Sequence, residues 1–312
     1  MRLLTDAPSA TRTFLPPGAI WQSCALHALS EPDASLWEVF GNGAPCHYCD
    51  VEDVVDGSDS ARRIVLIEFA PTSQFAQAQA AMKSRADWPS NWACLALEGS
   101  QFQGQRGRPW VALRGNMHLT CQYEIGLPAD QVQAGLTALP AVATVAAIRA
   151  ASSHQAEPRI KWVNDVLLDG HKVAGVLTAS RLQGSTLSSA LFGIGINLVH
   201  APDLPRQPFA PEPGSLATFN IELSAMWQQL QAQLDEGVRQ LREEGEHALV
   251  SAYEAAADFI GRNVQIWPEE WEGATQPEAL LAGRVRGLAP DLSLLIDGID
   301  EPVRKGRMTY SN

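Results

Sequence analysis

An Asp-Gly turn between two apolar, β-branched segments is the feature that most constrains the fold of this chain. Arg159–Leu168 and Lys172–Ala179 flank Asp169-Gly170-His171, and an Asp-Gly pair in this setting is a strong short-range signal of a β-hairpin. A third apolar segment, rich in glycine, follows at Leu187–Leu198. The middle of the chain is therefore predicted to form neighbouring antiparallel strands.

Helical and extended patterns alternate through much of the remaining chain. Thr72-Ser73 precede an Ala-rich run and predict a capped helix. Pro140 is expected to kink or split the most apolar helix, for which Asp130 is the predicted cap. Residues 1–60 lack such periodicity and are predicted to be irregular. The predicted strands are Arg63–Phe69, Trp92–Leu97, Met117–Ile125, Asn263–Trp267, Gly283–Leu288 and Leu292–Ile296, and the predicted helices are Gln74–Ala86, 131–151 and Ile221–Phe259.

Composition excludes several classes of protein. The chain has 312 residues, of which 46% are hydrophobic and 19% charged, so wholesale disorder and a coiled coil are excluded. At roughly 150 residues per domain, this length predicts about two domains. Lys and Arg number 23 against 35 Asp and Glu, a net charge of −12. This charge argues against nucleic acid or an anionic membrane as a partner, because both bind through an excess of cations.

Neither a targeting segment nor a membrane span is predicted. The N-terminal region has no apolar stretch long enough for a signal peptide, and the stretch Val132–Ile148 contains Pro140 and is too short to span a bilayer. Five cysteines in a chain of this length do not predict a disulfide framework. We expect a reduced, cytoplasmic protein.

Cys46 and Cys49 form a Cys-x-x-Cys pair. A zinc site needs a second pair of ligands, which Cys24 and His27 could supply only at an unusual spacing. A redox pair normally opens a helix, and no helix is predicted there. We predict no metal site and leave the role of this pair open.

The most informative polar residues interrupt the central apolar strands. The sequence reads Lys-Trp-Val-Asn-Asp at 161–165, Lys-Val-Ala-Gly-Val-Leu at 172–177 and Gly-Ile-Gly-Ile-Asn-Leu at 193–198. A charge in a buried strand is costly without a partner or a bound anion, so Lys161 is a candidate for holding a phosphate or carboxylate. Glycines at 193 and 195 would allow close approach of a flat or extended ligand. The alternative is a strand-end lysine that reaches solvent, with glycines that mark a bulge.

A second polar segment, Gln101–Trp110, is rich in Gly and Arg. Such a loop can surround an anion with backbone N–H groups and guanidinium groups, and Trp110 could cover an adenine. The alternative is a solvated loop whose Trp packs into the core.

Taken together, the three strand motifs closely resemble the biotin–protein ligase family, a branch of the biotin and lipoate ligase group. The resemblance runs from about residue 65 to the C-terminus. Val163 stands where the family usually has Pro, and Trp162 favours the biotin branch over the lipoate branch. The Gly/Arg segment resembles the family's adenylate-binding loop, although it is shorter and has Gln105 at an Arg position. Residues 115–120 resemble the family's Gly-x-Asn-Leu-x-x-Ser strand, with Met117 as an extra residue.

The resemblance implies an α/β (α+β) fold of the class II synthetase-like kind. It implies a catalytic domain with a mixed, largely antiparallel sheet flanked by helices, and a small C-terminal SH3-like β-barrel. The predicted divisions are an N-terminal extension or small subdomain at 1–60, a ligase-like catalytic domain at 61–258 and the SH3-like domain at 259–312.

The resemblance also implies an enzyme that uses ATP and Mg²⁺ to attach biotin to a lysine of an acceptor protein through biotinyl-AMP. The alternatives are a ligase for lipoate or another small acyl acid, and a non-catalytic homologue that binds adenylates or acyl proteins. The implied partner is a carboxyl-carrier-like acceptor domain, and a homodimer is considered.

Roles follow the same resemblance residue by residue. Thr72 takes the place of a family residue that contacts the biotin ureido ring, with a simple helix cap as its alternative role. Asp165 would orient the acceptor lysine or help to hold Mg²⁺. The implied catalytic residues are Lys161, Asp165 and Arg106; the substrate-binding residues are Thr72, Gln101, Gly104, Gln105, Lys161, Gly175 and Gly195; the nucleotide-binding residues are Arg106, Arg108, Trp110, Asn164, Lys172 and Asn197.

Overall fold

One large sheet organises most of the molecule. A computed structural model describes residues 1–51, 62–204, 209–269 and 278–311. Eleven strands in the described residues form the main sheet, and a smaller sheet of four strands lies near the C-terminus. The strands of the main sheet are β1 Arg2–Thr5, β2 Gln22–Cys24, β3 Cys46–Asp50, β4 Arg63–Ala70, β5 Trp92–Gln103, β6 Pro109–Ala112, β7 Met117–Pro128, β8 Arg159–Lys161, β9 Asp165–Leu168, β10 His171–Gln183 and β11 Thr186–Ile196.

The sheet is mixed and largely antiparallel, as predicted. Its order is β2-β3-β1-β4-β5-β7-β11-β10-β9-β8, with β6 paired to β5. Only the β1–β4 and β4–β5 pairs run parallel among the described strands. The three long antiparallel strands β7, β11 and β10 form its centre.

Helices cover both faces of this sheet. They are α1 Glu31–Phe40, α2 Gln74–Ser84, α3 Gln133–Ala151, α4 Leu223–Glu244 and α5 His247–Ala256. Alternate residues of β4 show the two faces: Ile64 and Leu66 join the core beneath α3, α4 and α5, whereas Val65 and Ile67 join the core beneath α1 and α2. A strand that is apolar at every position is thus buried on both sides.

The N-terminal residues are more regular than predicted. Strands β1 to β3 extend the main sheet next to β4, and α1 packs against β4. Arg2 and Arg63 both pair with the buried carboxylate of Asp33. These contacts join sequence-distant segments, which periodicity alone does not reveal. The acidic residues Glu52 and Asp53, and the predicted boundary at residue 60, lie outside the described residues.

The Cys-x-x-Cys pair lies on β3. Residues three apart on a strand point to opposite faces, and Cys46 joins the core beneath α1 and α2 while Cys49 joins the other. Among the described residues, no group of three His, Cys, Asp or Glu side chains is arranged to hold a metal ion.

Helix α3 is continuous through Pro140 rather than split. It packs against α4, α5 and the sheet, and this burial offsets the backbone hydrogen bond that the proline lacks. Val132 precedes its first residue, and Asp130 does not cap it. By length and composition α3 could cross a membrane, contrary to expectation, but two-thirds of it is buried as a core helix.

Two predicted segments are broken by turns. The predicted strand at 159–168 divides into β8 and β9 around a tight turn at Trp162–Asn164. The predicted hairpin turn is present, with φ of 50° at Asp169 and 81° at Gly170, the two positive values that a type I′ turn requires. The predicted helix Ile221–Phe259 divides into α4 and α5 at Gly245, which has a φ of 80°.

The C-terminal residues form a small antiparallel sheet, as predicted. Its order is β14-β13-β12-β15, and the last strand was not predicted from sequence. The strands are β12 Asn263–Trp267, β13 Leu281–Leu288, β14 Leu294–Ile296 and β15 Arg307–Tyr310.

Candidate active site

A cavity of about 390 Å³ opens over the glycine-rich ends of β10 and β11. The start of α2 forms one wall, the loop that joins β5 to β6 forms the second, and the Pro-rich segment 210–213 forms the third. Aromatic side chains line the cavity, among them Phe75, Phe102 and Trp110. The cavity therefore suits a small organic molecule with an apolar body.

The glycines at the end of β11 make room for aromatic rings of the protein itself. A Cβ atom added at Gly195 would lie 2.3 Å from Cζ2 of Trp110, and one at Gly193 would lie 2.8 Å from Cδ2 of Phe75. The expectation that these glycines admit a ligand directly is therefore corrected: the indole and the phenyl ring occupy that space. A ligand in the cavity would contact the rings, which line it.

Lys161 and Asp165 are brought together by the turn between β8 and β9. They are register partners at its two ends, and both side chains are buried. Lys172 Nζ lies 2.6 Å from Asp165 Oδ1. Arg108 is close enough to affect both buried groups electrostatically. One buried carboxylate thus faces three cationic side chains, which leaves an excess of positive charge.

Burial and this charge excess act on the pKa values in opposite ways. Burial lowers the pKa of Lys161; Asp165 counters this effect, while Lys172 and Arg108 add to it. Burial alone would raise the pKa of Asp165, but Lys172 and Lys161 more than compensate, so its pKa lies below the ordinary value. An anion beside Lys161 would favour its protonated form.

Hydrogen bonds to neighbouring segments stabilise the turn Trp162–Asn164. Trp162 Nε1 donates to the backbone oxygen of Leu292 at 2.9 Å, in the segment before β14. Tyr253 of α5 donates through its hydroxyl to the backbone oxygen of Val163 at 2.9 Å. Asn164 exchanges hydrogen bonds with Val176 of β10 through its side-chain nitrogen and its backbone oxygen. The motif's Trp and Asn therefore fix the shape of the turn.

A second cavity of about 220 Å³ lies on the other side of this turn. Lys161, Asp165 and Arg106 line it together with Arg307 of β15. Gln105, Arg108 and Asn164 line both cavities and form the boundary between them. The predicted constellation is thus divided between an apolar cavity and an adjoining basic one.

The Gly/Arg loop is partly ordered by its own backbone. Gly104 N donates to the backbone oxygen of Arg108 at 2.7 Å, and Arg108 Nε donates to the backbone oxygen of Gln105 at 3.2 Å. Arg106 has a positive φ of 61° and pairs with Glu269, just after β12. Gln101 is exposed and lines neither cavity, whereas Gly104 lines the larger one.

Thr72 is not among the residues that line either cavity. Its neighbours Ser73 and Gln74 are buried and line the larger one. Ser73 is also the cap of α2, where its Oγ accepts from Ala76 N. The cap role considered for Thr72 therefore belongs to Ser73, because the helix begins one residue later than that role requires.

Lys172, Gly175 and Asn197 also line the larger cavity. Lys172 Nζ lies 5.7 Å from the centre of the Trp110 ring. The side-chain nitrogen of Asn197 donates to the backbone oxygen of Gly214 at 2.9 Å, so Asn197 ties the Pro-rich segment to the end of β11. Its amide nitrogen thus has a structural partner.

Sequence reasoning missed His118, Glu269 and Arg307. His118 is buried in the wall of the larger cavity, where Trp110 Nε1 donates to its Nδ1 at 3.4 Å and Nε2 lies 3.0 Å from the backbone oxygen of Leu113. Burial lowers the pKa of His118 to about 4. A polar residue in an apolar strand was the only sequence signal for His118, and none marked the other two.

Residues 72–197 match the model of the biotin/lipoate A/B protein ligase family. These residues of the chain are therefore similar to that family. The matched segment runs from the start of α2 to the end of β11, and so contains most of the residues that line the larger cavity.

Two curated proteins are similar to part of the chain. The chain is 38% identical over 135 residues to a biotin–[acetyl-CoA-carboxylase] ligase of Paracoccus denitrificans, over 43% of this chain and 53% of that protein. It is 35% identical over 113 residues to the bifunctional ligase/repressor BirA of Bacillus spizizenii, over 35% of this chain and 33% of that one. The chain thus spans about half, or less, of the length of these relatives.

Solved structures show the same fold. The biotin protein ligase of Aquifex aeolicus, in complex with biotin and ATP, is similar with a TM-score of 0.60 at 17% identity, over 80% of this chain and 99% of that one. A biotin protein ligase-like protein of unknown function from Silicibacter has a TM-score of 0.54 at 13% identity, over 76% and 92% of the two chains. The chain therefore has the fold that the sequence resemblance implied.

Proposed function

We propose that this protein uses ATP to activate biotin as biotinyl-AMP and then transfers the biotinyl group to a lysine of an acceptor protein. The observation that carries the proposal is a charged cluster at the boundary between an apolar cavity and a basic one, in which Lys161 and Asp165 are buried and Lys172 and Arg108 are half-buried. An acid with an apolar body and a nucleotide with an anionic tail need this combination.

The first half-reaction joins a carboxylate to the α-phosphate. A carboxylate oxygen attacks the α-phosphorus, the bond to the bridging oxygen breaks, and pyrophosphate leaves. Lys161 would contact both anions and stabilise the charge of the pentacovalent centre. Arg106 and Arg108 would bind the phosphates from the basic cavity, and Trp110 would pack against an apolar face of the ligand.

The second half-reaction transfers the acyl group. The amine of the acceptor lysine attacks the anhydride carbon, AMP leaves, and the amine loses a proton. Closure of the Gly104–Arg108 loop would exclude water from the anhydride. Asp165 would orient the incoming neutral amine by accepting a hydrogen bond from it, from its fixed position beside Lys172.

Magnesium held by Asp165 does not fit the site. Its carboxylate faces Lys161, Lys172 and Arg108, and this positive surrounding opposes a divalent cation. No step is therefore assigned to a metal held by Asp165. The cytoplasmic location, a homodimer and the lack of nucleic-acid binding stay predictions from sequence.

The test is pyrophosphate exchange with a panel of acids. Exchange that depends on biotin, followed by transfer of label to a carboxyl-carrier domain, would support the proposal. Exchange with lipoate or octanoate alone would favour a ligase for another acid. Binding of acyl-adenylates without exchange would favour a non-catalytic homologue. The observation that supports this alternative is Gln105, which stands in the loop where the family has Arg.

A further inference from the structure

A carboxylate that is not buried pairs with an arginine of the basic cavity. Glu269, at the end of the segment that follows β12, pairs with Arg106, and the two side chains are 33% and 32% exposed. The backbone oxygen of Glu269 accepts a hydrogen bond from Arg307 Nε at 2.9 Å. Arg106, Arg108 and Arg307 all line the basic cavity. Burial lowers the pKa of Arg307, and Arg108 and Arg106 lower it further. Glu269 is the counter-ion of this group.

We propose that Glu269 is a positioning residue that holds Arg106 in the ligand-free protein and gives it up when a polyphosphate enters the basic cavity. The inference rests on the proposed function only in assigning phosphates to that cavity. Glu269 acts through Arg106 and does not itself contact the reacting atoms.

The contrast with Asp165 supports this exchange. Asp165 is 8% exposed and bound to Lys172 at 2.6 Å. A buried carboxylate that loses its partner strongly destabilises the folded protein, so we expect this pair to stay in place. An ion pair that is one-third exposed contributes little, because water screens both charges. Arg106 can therefore change partners at small cost. An incoming phosphate offers a guanidinium more charge than the carboxylate does.

The position of Glu269 also suits this role. Two residues earlier, Trp267 stacks on Phe209 of the Pro-rich loop with ring centres 4.6 Å apart. The same short segment of the C-terminal domain thus contacts the two loops that border the cavities. A change of partner at Arg106 would release the Gly/Arg loop from the C-terminal domain while the Trp267–Phe209 contact is retained.

The sign of the effect distinguishes a counter-ion from a structural contact. Inorganic triphosphate is the probe, and binding to the full chain is measured by titration calorimetry at two salt concentrations. Glu269→Gln removes the competing charge, so we expect roughly three- to tenfold tighter binding with a stronger dependence on salt. Glu269→Ala should act in the same direction. Glu301→Gln, an exposed carboxylate of the same domain that lines neither cavity, should leave binding unchanged.

Equal or weaker binding by both Glu269 variants, in protein whose circular dichroism is native, would overturn the inference. So would tighter binding of the same size in Glu301→Gln, or no triphosphate binding by any form. Biotin-dependent pyrophosphate exchange by the wild type is scored separately. A chain without exchange, in which Glu269→Gln still tightens triphosphate binding, would reject the proposed function and keep this inference.

Discussion

Lys161 and Asp165 face each other as cross-strand partners on β8 and β9, at the two ends of the turn Trp162–Asn164. Asp165 lies opposite Gly175 on its other neighbour, β10, and binds Lys172 from that strand. A single buried carboxylate therefore pairs with Lys172 and also attracts Lys161 from the other neighbouring strand electrostatically. Because cations outnumber carboxylates there, the site is prepared for an anion before one binds.

Lys161→Ala should abolish adenylate formation and leave the fold intact. The lysine is the cation best placed to stabilise charge on a carboxylate and phosphate together, and loss of such a group lowers the rate by ~10²–10³. Pyrophosphate exchange measures the rate, and circular dichroism checks the fold. Lys161→Arg keeps the charge and should retain more activity. Near-normal exchange by the alanine variant would contradict the assigned role.

The rate of adenylate formation should fall at an alkaline pH below the ordinary pKa of lysine. Burial lowers the pKa of Lys161 from 10.5, and only its protonated form stabilises the anionic centre. The rate should therefore be full at neutral pH and fall as pH rises through the lowered pKa of Lys161. Pyrophosphate exchange as a function of pH measures this limb. A limb at the same pH in Lys161→Arg, whose guanidinium does not titrate there, would assign it to another group.

Stability should fall on mild acidification because of His118. Burial lowers the pKa of this imidazole from the ordinary 6.5 to about 4, so it stays neutral in the folded protein down to about pH 4. Between these values the unfolded chain binds a proton that the folded chain does not, so the contribution is complete above pH 6.5 and is lost as pH falls toward 4. The loss should approach roughly 3 kcal/mol. Urea unfolding across this range measures it.

The His118→Gln variant is the control for that window. It should lose the part of the pH dependence that His118 causes, whereas the exposed His154→Gln should keep it. If the free energy of unfolding depends on pH in the same way in wild type and His118→Gln, His118 binds its proton equally well in the folded and unfolded protein, and the prediction is wrong.

Gly195→Ala should destabilise the protein through Trp110. The new methyl group would meet the indole at 2.3 Å, and overpacking typically costs about 1–3 kcal/mol. Denaturant unfolding measures the cost, and Trp110→Ala in the same chain should remove most of it. Gly287→Ala on β13 is the matched control, because nothing lies within 4 Å of its added Cβ. Equal effects at the two glycines would contradict the packing role of Trp110.

Gln105→Arg should slow the release of biotinyl-AMP. Gln105 lines both cavities, and a guanidinium there would add a charge-assisted contact to an anionic ligand, typically about 1.5–3 kcal/mol. The dissociation rate at two salt concentrations measures the change. Gln183→Arg, at the exposed far end of β10, adds the same charge away from the cavities. Equal release rates in wild type and Gln105→Arg would place residue 105 away from the phosphates.

Local sequence determined much of the central sheet. The Asp-Gly turn, the β-branched strands and the capped helix at Gln74 depend on residues close in sequence, so their patterns predict them directly. The same is true of Lys161, whose position in an apolar strand marked it as unusual. Pro140 shows the limit, because the packing of α3 against two helices and the sheet outweighs a local preference.

Only the tertiary structure decided how the site is divided and what completes it. Whether the space above Gly195 holds a ligand or an indole depends on Trp110, which is 85 residues away along the chain. Arg307 reaches the basic cavity, and Glu269 reaches Arg106 beside it, because the C-terminal sheet lies against the turn after β8, where Leu292 binds Trp162. Sequence periodicity reports which face of an element is buried, but electrostatic and packing partners are set by contacts between elements, and these form only when the chain folds.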